Sequence, residues 1–410
     1  MDPARWQEIR ASFHQVIEMP AGGLEVYFQK LRNKDPKLAL EVEKLWQNHI
    51  EAGNFMERPA SENFQPPLDH IPLSPGSTIG CYHLIRTLGE GGMGTVYLAR
   101  ENNPPNRQVA LKVVRQGLAT KHMLARFRSE YKTLQRMNHP NIATIFHPGI
   151  TYDGLPFFAM EYVDGIPITH YCDQKRQTLR ARIELYLQAV QATKHAHEKG
   201  AIHRDLKPSN VLITEQNGRP MVKIIDFGIV KATEAQPGES LITQSGLILG
   251  TLSYMSPEQA GIIKEPIGPY TDVYAMGILL YELTTGVSPF KSDQKTPFHV
   301  QLNKIRDMVP CNPSACFGEE KDPALIAQAR RATTEQLKDE ICGNLDAIIM
   351  KAIRKSPDHR YDNMGRFQTD LRRYLEHEPI NIENIPLNDD ESPKRGYKEI
   401  VRSLFKKGGK

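Results

Sequence analysis

Apolar residues along the first 57 positions recur with helical spacing. Trp6, Ile9, Phe13, Val16 and Ile17 share one face of a 3.6-period helix, ended by Pro20, Gly22 and Gly23. Val26–Leu31 predicts a second helix. Asp35–Pro36 predicts the start of a third, a capping carboxylate followed by proline at the first helical position, with Leu38, Val42, Leu45, Trp46 and His49 on its face. Residues 1–57 therefore read as a helical N-terminal extension. Core-forming apolar faces account for these helices; a partner-docking or autoregulatory module is the sharper reading. Residues 58–80 read as a linker, because Glu57–Ser77 holds five prolines and no periodicity.

From Tyr82 the pattern changes to short β-type runs at Tyr82–Leu88, Val96–Ala99 and Val109–Val114, with a proline-containing loop over Asn102–Asn106. Beyond about Glu161 helical patterns dominate. Thr178 is placed to cap a helix running through Glu198, with Gly200 just past its end. A strand-rich piece followed by a helix-rich piece predicts an α+β fold. No internal repeat is present. The boundaries fall at 81–376 for the main domain, split at 81–160 and 164–376, and at 377–410 for a tail.

Composition narrows the classes. The 410 residues carry 52 Lys and Arg against 48 Asp and Glu, a net charge of +4. That balance argues against nucleic acid as a main partner. With 29 Gly and 29 Pro the chain is not of low complexity, and 40% hydrophobic residues suit a globular protein. Five cysteines without a C-x-x-C pair argue against a disulfide scaffold or zinc ribbon, so reduced thiols in the cytoplasm are expected. No apolar run reaches the ~18 residues of a membrane span, and the N-terminus lacks a secretory pattern. The tail is acidic over Glu376–Glu391, with six carboxylates, then basic over Lys394–Lys410, with seven Lys or Arg. There Tyr397, Ile400, Val401, Leu404 and Phe405 make an apolar helical face. Such a helix suits weak contact with a membrane surface or a partner. Packing on its own domain accounts for it equally well.

Four segments carry chemistry. The first is Gly89-Glu90-Gly91-Gly92-Met93-Gly94-Thr95-Val96, whose glycines let backbone N–H groups approach phosphate oxygens. A dinucleotide fold would need a helix straight after this loop; here the pattern continues as strand. A plain glycine-rich turn is the alternative. The second is Lys112 in Val109-Ala110-Leu111-Lys112. On an apolar strand it needs a carboxylate partner, and Glu130, on a helix-spaced segment, is the candidate. The third is His203-Arg204-Asp205-Leu206-Lys207-Pro208-Ser209-Asn210. Asp205, ionised at neutral pH, can accept a proton from a hydroxyl; Lys207 adds positive charge; Asn210 offers a neutral oxygen to a hard cation. The fourth is Asp226-Phe227-Gly228. Between Asn210 and Asp226 lies a hairpin pattern turning at Asn217-Gly218, which brings the two together as oxygen ligands for Mg²⁺.

In this order the segments resemble the protein kinase superfamily, and most closely the bacterial eukaryotic-like Ser/Thr kinases, over roughly Tyr82–Leu375. Met160-Glu161-Tyr162-Val163 resembles a hinge, and Ser256-Pro257-Glu258 and Thr271–Gly277 are further matches. Arg360 resembles the arginine that pairs with Glu258. Ser256 stands where alanine is usual, which is expected to be harmless. The resemblance implies a bilobal fold with a β-rich N-lobe and a helical C-lobe. It also implies ATP with Mg²⁺ or Mn²⁺ between the lobes, and transfer to Ser or Thr of protein substrates in signalling. Adenine and phosphates would meet Leu88, Gly89, Glu90, Gly91, Gly92, Met93, Gly94, Val96, Ala110, Lys112, Met160, Glu161, Val163 and Leu212. Asn210 and Asp226 would hold the metals; Asp205, Lys207, Lys112 and Glu130 would be the catalytic set. Gly228–Glu258 would be an activation segment, with Thr243 or Ser245 autophosphorylated through self-association. A catalytically inactive kinase-fold scaffold needs none of Lys112, Glu130, Asp205, Asn210 and Asp226, and their presence argues against it. A small-molecule kinase is disfavoured by the resemblance of Gly250–Glu258 to a peptide-positioning loop.

Overall fold

The computed structural model describes residues 12, 15–16, 24–43, 73–91, 94–102, 106–115, 131, 133–227, 252–263, 265–290, 296, 298–316 and 322–380. The chain divides into two compact units, residues 1–70 with 149–154, and residues 71–148 with 155–410.

In the first unit, helix α1 (Leu24–Lys34) is followed by a helical run over 36–43. Asp35 between them accepts the N–H groups of Lys37 and Leu38 at 3.1 and 3.0 Å, the cap that the Asp-Pro pair predicts. Phe28 and Leu31 meet Leu38, Ala39, Val42 and Val16 in one apolar cluster. The helix extends past the Val26–Leu31 core at both ends, where Leu24, Glu25, Arg32 and Lys34 are good helix formers. Trp6, Ile9, Phe13, Ile17, Leu45, Trp46 and His49 lie outside the described residues.

A six-stranded sheet follows, of β1 (Thr78–Ile79), β2 (Tyr82–Gly91), β3 (Gly94–Glu101), β4 (Gln108–Val114), β5 (Ile145–Ile150) and β6 (Pro156–Glu161), in the order β1-β2-β3-β4-β6-β5. Strand alternation on β4 sets what each face does. Val109, Leu111 and Val113 join Tyr82, Leu84, Tyr97, Phe157 and Ala159 in a buried cluster. Ala110 and Lys112 take the opposite face. The glycine-rich stretch is the tip of the β2–β3 hairpin, with Gly91 paired to Gly94. Gly94 has φ 150°, and a Cβ there would lie 2.0 Å from the Val113 carbonyl oxygen, so only glycine lets β3 lie this close to β4.

The rest is mainly helical: β7 (Ile166–Pro167), α2 (Ile168–Gln174), α3 (Leu179–Glu198), β8 (Val211–Gln216), β9 (Arg219–Ile224), α4 (Pro269–Thr285), α5 (Phe298–Asp307), α6 (Pro313–Cys316), α7 (Pro323–Gln328), α8 (Thr334–Ile341), α9 (Asn344–Ala352) and α10 (Met364–Glu376). Thr178 caps α3 by accepting from the Ala181 N–H, and left-handed Gly200 (φ 79°) ends it. Helix α4 is buried on all sides from Thr271 to Tyr281, as a helix at the centre of a core must be. Tyr186 of α3 donates to the Met276 carbonyl of α4 at 2.7 Å and meets Phe367 of α10 edge to face. No helix among the described residues is long and apolar enough to cross a membrane.

Cys311 and Cys316 lie against each other, two of the five cysteines brought together by the fold. Their Cα atoms are 5.9 Å apart across the turn entering α6, inside the range a disulfide spans. A search for C-x-x-C spacing passes over a pair five residues apart. Cys81, Cys172 and Cys342 are free.

Candidate active site

The β8–β9 hairpin forms as its sequence predicts. Asn217 and Gly218 have φ 51° and 73°, the doubly left-handed turn that matches strand twist, and the register runs from Gln216↔Arg219 to Val211↔Ile224. At its open end the Ile225 N–H donates to the Asn210 carbonyl at 3.0 Å. That bond sets Asn210 beside the strand leading to Asp226. Asp226 has φ 58° and its Oδ1 is ion-paired with Lys112 Nζ from β4. Lys112 is 7% exposed, so a carboxylate partner is required, as the sequence reading demanded. Glu130, the partner named there, lies outside the described residues.

Asp205 joins the same group. Lys207 Nζ lies 3.0 Å from Asp205 Oδ2, and the Asn210 amide nitrogen donates to the Asp205 carbonyl at 2.7 Å and to Oδ2 at 3.2 Å. Lys112–Asp226 and Asn210–Asp205–Lys207 thus join into one contact chain through the Ile225–Asn210 backbone bond, linking sheet and helical part. Asn210 commits its side-chain nitrogen to Asp205, which leaves the side-chain oxygen Oδ1 for a ligand. With the Asp226 carboxylate this makes an all-oxygen donor set, the kind a hard divalent cation takes.

The loop carrying Asp205 is strained and held. Arg204 sits at φ 64°, a conformation costing about 1–3 kcal/mol for a non-glycine residue. The Asp272 carboxylate, fully buried at the start of α4, accepts the N–H groups of His203 and Arg204, each at 2.8 Å, and contacts His197 Nε2 at 2.8 Å. Burial alone would raise the Asp272 carboxyl. The hydrogen bond and charge of His197, with the His203 backbone N–H, outweigh burial and hold it below its ordinary value. For His203, burial dominates over nearby carboxylates and lowers its pKa. A neutral ring with hydrogen on Nε2 fits its contacts: Nε2 donates to the Ile225 carbonyl at 3.0 Å and Nδ1 accepts the Asp205 N–H at 3.3 Å. His203 also lies 4.5 Å from the Phe227 ring, tying the two loops together.

The β6 end meets the hairpin at a further ion pair. Lys223 on β9 contacts Glu161 Oε1 at 2.7 Å, and Glu161 Oε2 accepts the Thr144 N–H at 3.1 Å. Lys223 is the cross-strand partner of Leu212, so Leu212 lies on the hairpin face turned toward this hinge. Ala110 pairs with Met160 and Val96 with Lys112 across the sheet. Leu88, Gly89, Glu90, Gly91 and Gly94 lie on the β2–β3 hairpin, and Val163 follows β6. Gly92, Met93, Thr243 and Ser245 lie outside the described residues.

Below the site, Arg360 grips Glu258 through two bonds of 2.7 and 2.8 Å, both side chains fully buried, as the resemblance implies. Thr271 donates to Glu258 Oε1 at 2.9 Å, and Arg360 also donates to the carbonyls of Arg354, Lys355 and Tyr270. The Glu258 carboxyl is lowered: burial pushes it up, and Arg360 outweighs burial.

The sequence reading assigned no role to Asp272 or Lys223. Asp272 had a signal, a carboxylate directly before the apolar run Val273–Tyr281. Lys223 had none, since a lysine on a short strand reads as a solvated group.

Comparison with known proteins agrees with this arrangement. The protein kinase domain family matches residues 82–364. A probable serine/threonine-protein kinase of Streptomyces coelicolor, SCO3848, is 36% identical over 308 residues, covering 73% of this chain and 41% of that one. The serine/threonine-protein kinase PknB of Mycolicibacterium smegmatis is 37% identical over 301 residues, covering 72% and 43%. The chain spans less than half the length of these relatives. Among solved structures, the PknI kinase domain of Mycobacterium tuberculosis is similar in fold, with TM-score 0.51 at 24% identity, covering 74% of this chain and 99% of that one. A double mutant of that domain gives 0.52 at 23%, covering 74% and 100%. The chain belongs to the protein kinase family and carries a bilobal kinase domain of the bacterial serine/threonine type. Members of the family use ATP and a divalent metal, and the oxygen donors of Asn210 and Asp226 fit such a cation.

Proposed function

We propose that this chain is an ATP-dependent serine/threonine protein kinase of bacterial signalling, acting in the cytoplasm where ATP is supplied. The observation that carries the reading is the contact chain of Lys112, Asp226, Asn210, Asp205 and Lys207. Its charges are divided as phosphoryl transfer needs. Lys112 binds the α- and β-phosphates of ATP. Asn210 Oδ1 and the Asp226 carboxylate would hold a divalent cation such as Mg²⁺, which would supply positive charge against the phosphoryl oxygens. Asp205 orients the acceptor hydroxyl and takes its proton. Lys207 lies beside Asp205 and stabilises the migrating group. Adenine rests between Ala110, Val96 and Leu212, with backbone bonds at Glu161 and Val163. Catalysis is then mainly positioning and electrostatics.

The finer parts of the reading rest on sequence. Residues 1–57 are an appended helical module joined to the kinase domain by the 58–80 linker, whose last residues enter strand β1 at Thr78–Ile79, and 377–410 is a charged tail. Two copies associate to phosphorylate Thr243 or Ser245, and the basic end of the tail makes weak contact with an anionic surface. The test is transfer from γ-labelled ATP with Mg²⁺ or Mn²⁺, alone and with a basic protein acceptor, followed by phosphoamino-acid analysis and peptide mapping. Metal-dependent label on Ser or Thr supports the reading. Nucleotide binding without transfer under either metal overturns it. Active protein with no phosphate between 228 and 258 removes the autophosphorylation step.

A further inference from the structure

Ser256 and Gln259 lie in the segment that follows 251, and both are buried, at 0% and 5% exposure. The Gln259 Nε2 donates to the Arg204 carbonyl at 2.7 Å. Its Oε1 accepts the Ser256 N–H at 3.3 Å and the Ser256 hydroxyl at 3.2 Å, and the Gln259 N–H reaches Ser256 Oγ at 3.4 Å. Both ends of the carboxamide are thus used, which fixes which end is nitrogen. The carbonyl it grips belongs to the peptide joining left-handed Arg204 to Asp205, and the N–H of that peptide points at His203 Nδ1. Asp272 takes the two preceding N–H groups.

We propose that Gln259 is a positioning residue for catalysis: it holds the carbonyl of the Arg204–Asp205 peptide, as Asp272 holds the N–H groups before it, and so sets where the Asp205 carboxylate points. A backbone held at positive φ persists only where its surroundings over-determine it. Asp272 can only accept, so it cannot orient a carbonyl. A carboxamide can donate to that carbonyl and accept from Ser256 at once. Glutamate at 259 would set a second acceptor against the carbonyl, and methionine would bring no donor. Ser256, expected to be harmless in place of alanine, orients Gln259 through its hydroxyl and N–H. The pair ties the segment 252–262 to the catalytic loop. The inference rests on the kinase reading of Asp205.

The experiment compares Gln259→Met, Gln259→Glu, Ser256→Ala and the Ser256→Ala/Gln259→Met double variant in the full chain. It measures kcat, KM for ATP, nucleotide Kd and circular dichroism. A misplaced carboxylate lowers kcat on the order of 10–100-fold in both Gln259 variants, with KM for ATP within about 2-fold of the parent. Ser256→Ala costs less. The double variant is no slower than Gln259→Met, because Ser256 acts through Gln259. Near-isosteric Gln259→Glu keeps the test decisive if Gln259→Met does not fold, and so does Ser256→Ala. Parental kcat in folded Gln259→Glu, a loss seen only in KM for ATP, or multiplying effects in the double variant overturns the proposal. Asp205→Asn in the same assay separates the two ideas: parental turnover there removes the kinase reading itself, whereas inactive Asp205→Asn beside fully active Gln259 variants removes only this inference.

Discussion

Asp272 shows how much one buried group can organise. It reaches the site only through backbone N–H groups, yet it fixes the two residues before Asp205. Asp272→Leu orphans two buried donors at about 1–3 kcal/mol each, so a loss of about 2–6 kcal/mol is expected in urea unfolding. His203 makes stability depend on pH. Its folded pKa is lowered, so the unfolded chain binds the extra proton between that value and about 6.5. Its contribution is complete above about 6.5 and is lost as pH falls toward the folded value. His139, lowered by burial, His195 and Lys223, adds in the same direction. Melting temperature should therefore fall as pH drops from 7 to 5, and a His203→Asn variant should show a shallower slope than the parent. An equal slope would contradict the assignment.

At the scale of elements, pattern and outcome can be compared directly. The β8–β9 hairpin was legible because Asn-Gly between two apolar runs permits little else, and Thr178 and Gly200 marked α3 because caps are local chemistry. The glycine loop was legible as a loop, but its pairing was not. That Gly94 must be glycine depends on Val113, nineteen residues on, whose carbonyl leaves no room for a Cβ. Gly94→Ala should part β3 from β4 at this point and weaken nucleotide binding, read as a rise in Kd for a fluorescent ATP analogue. Gly89→Ala meets no atom within 4 Å in the structure and should bind more nearly as the parent does. The Cys311–Cys316 pair and the Ser256–Gln259 pair escaped for a related reason: each forms across a turn whose shape the spacing alone did not disclose.

For the whole molecule, the order of motifs carried the fold, because each alone is an ordinary turn or cap. What sequence could not supply were the partners of Asp272, Lys223 and Gln259, which are long-range. The Glu258–Arg360 pair joins the segment beyond 251 to the turn before α10 across a hundred residues. Arg360→Met leaves a buried carboxylate unpaired, and a loss of about 3–5 kcal/mol in global stability is expected. The central claim is that Asp205 carries the proton-accepting role within an otherwise intact ATP site. Asp205→Asn removes that role while leaving Lys112, Asn210 and Asp226 in place. The measurement is single-turnover transfer from γ-labelled ATP in parent and variant, with nucleotide Kd determined beside it. The account predicts a rate lower by about 10²–10⁴ at nearly unchanged Kd. Transfer at the parental rate would contradict it.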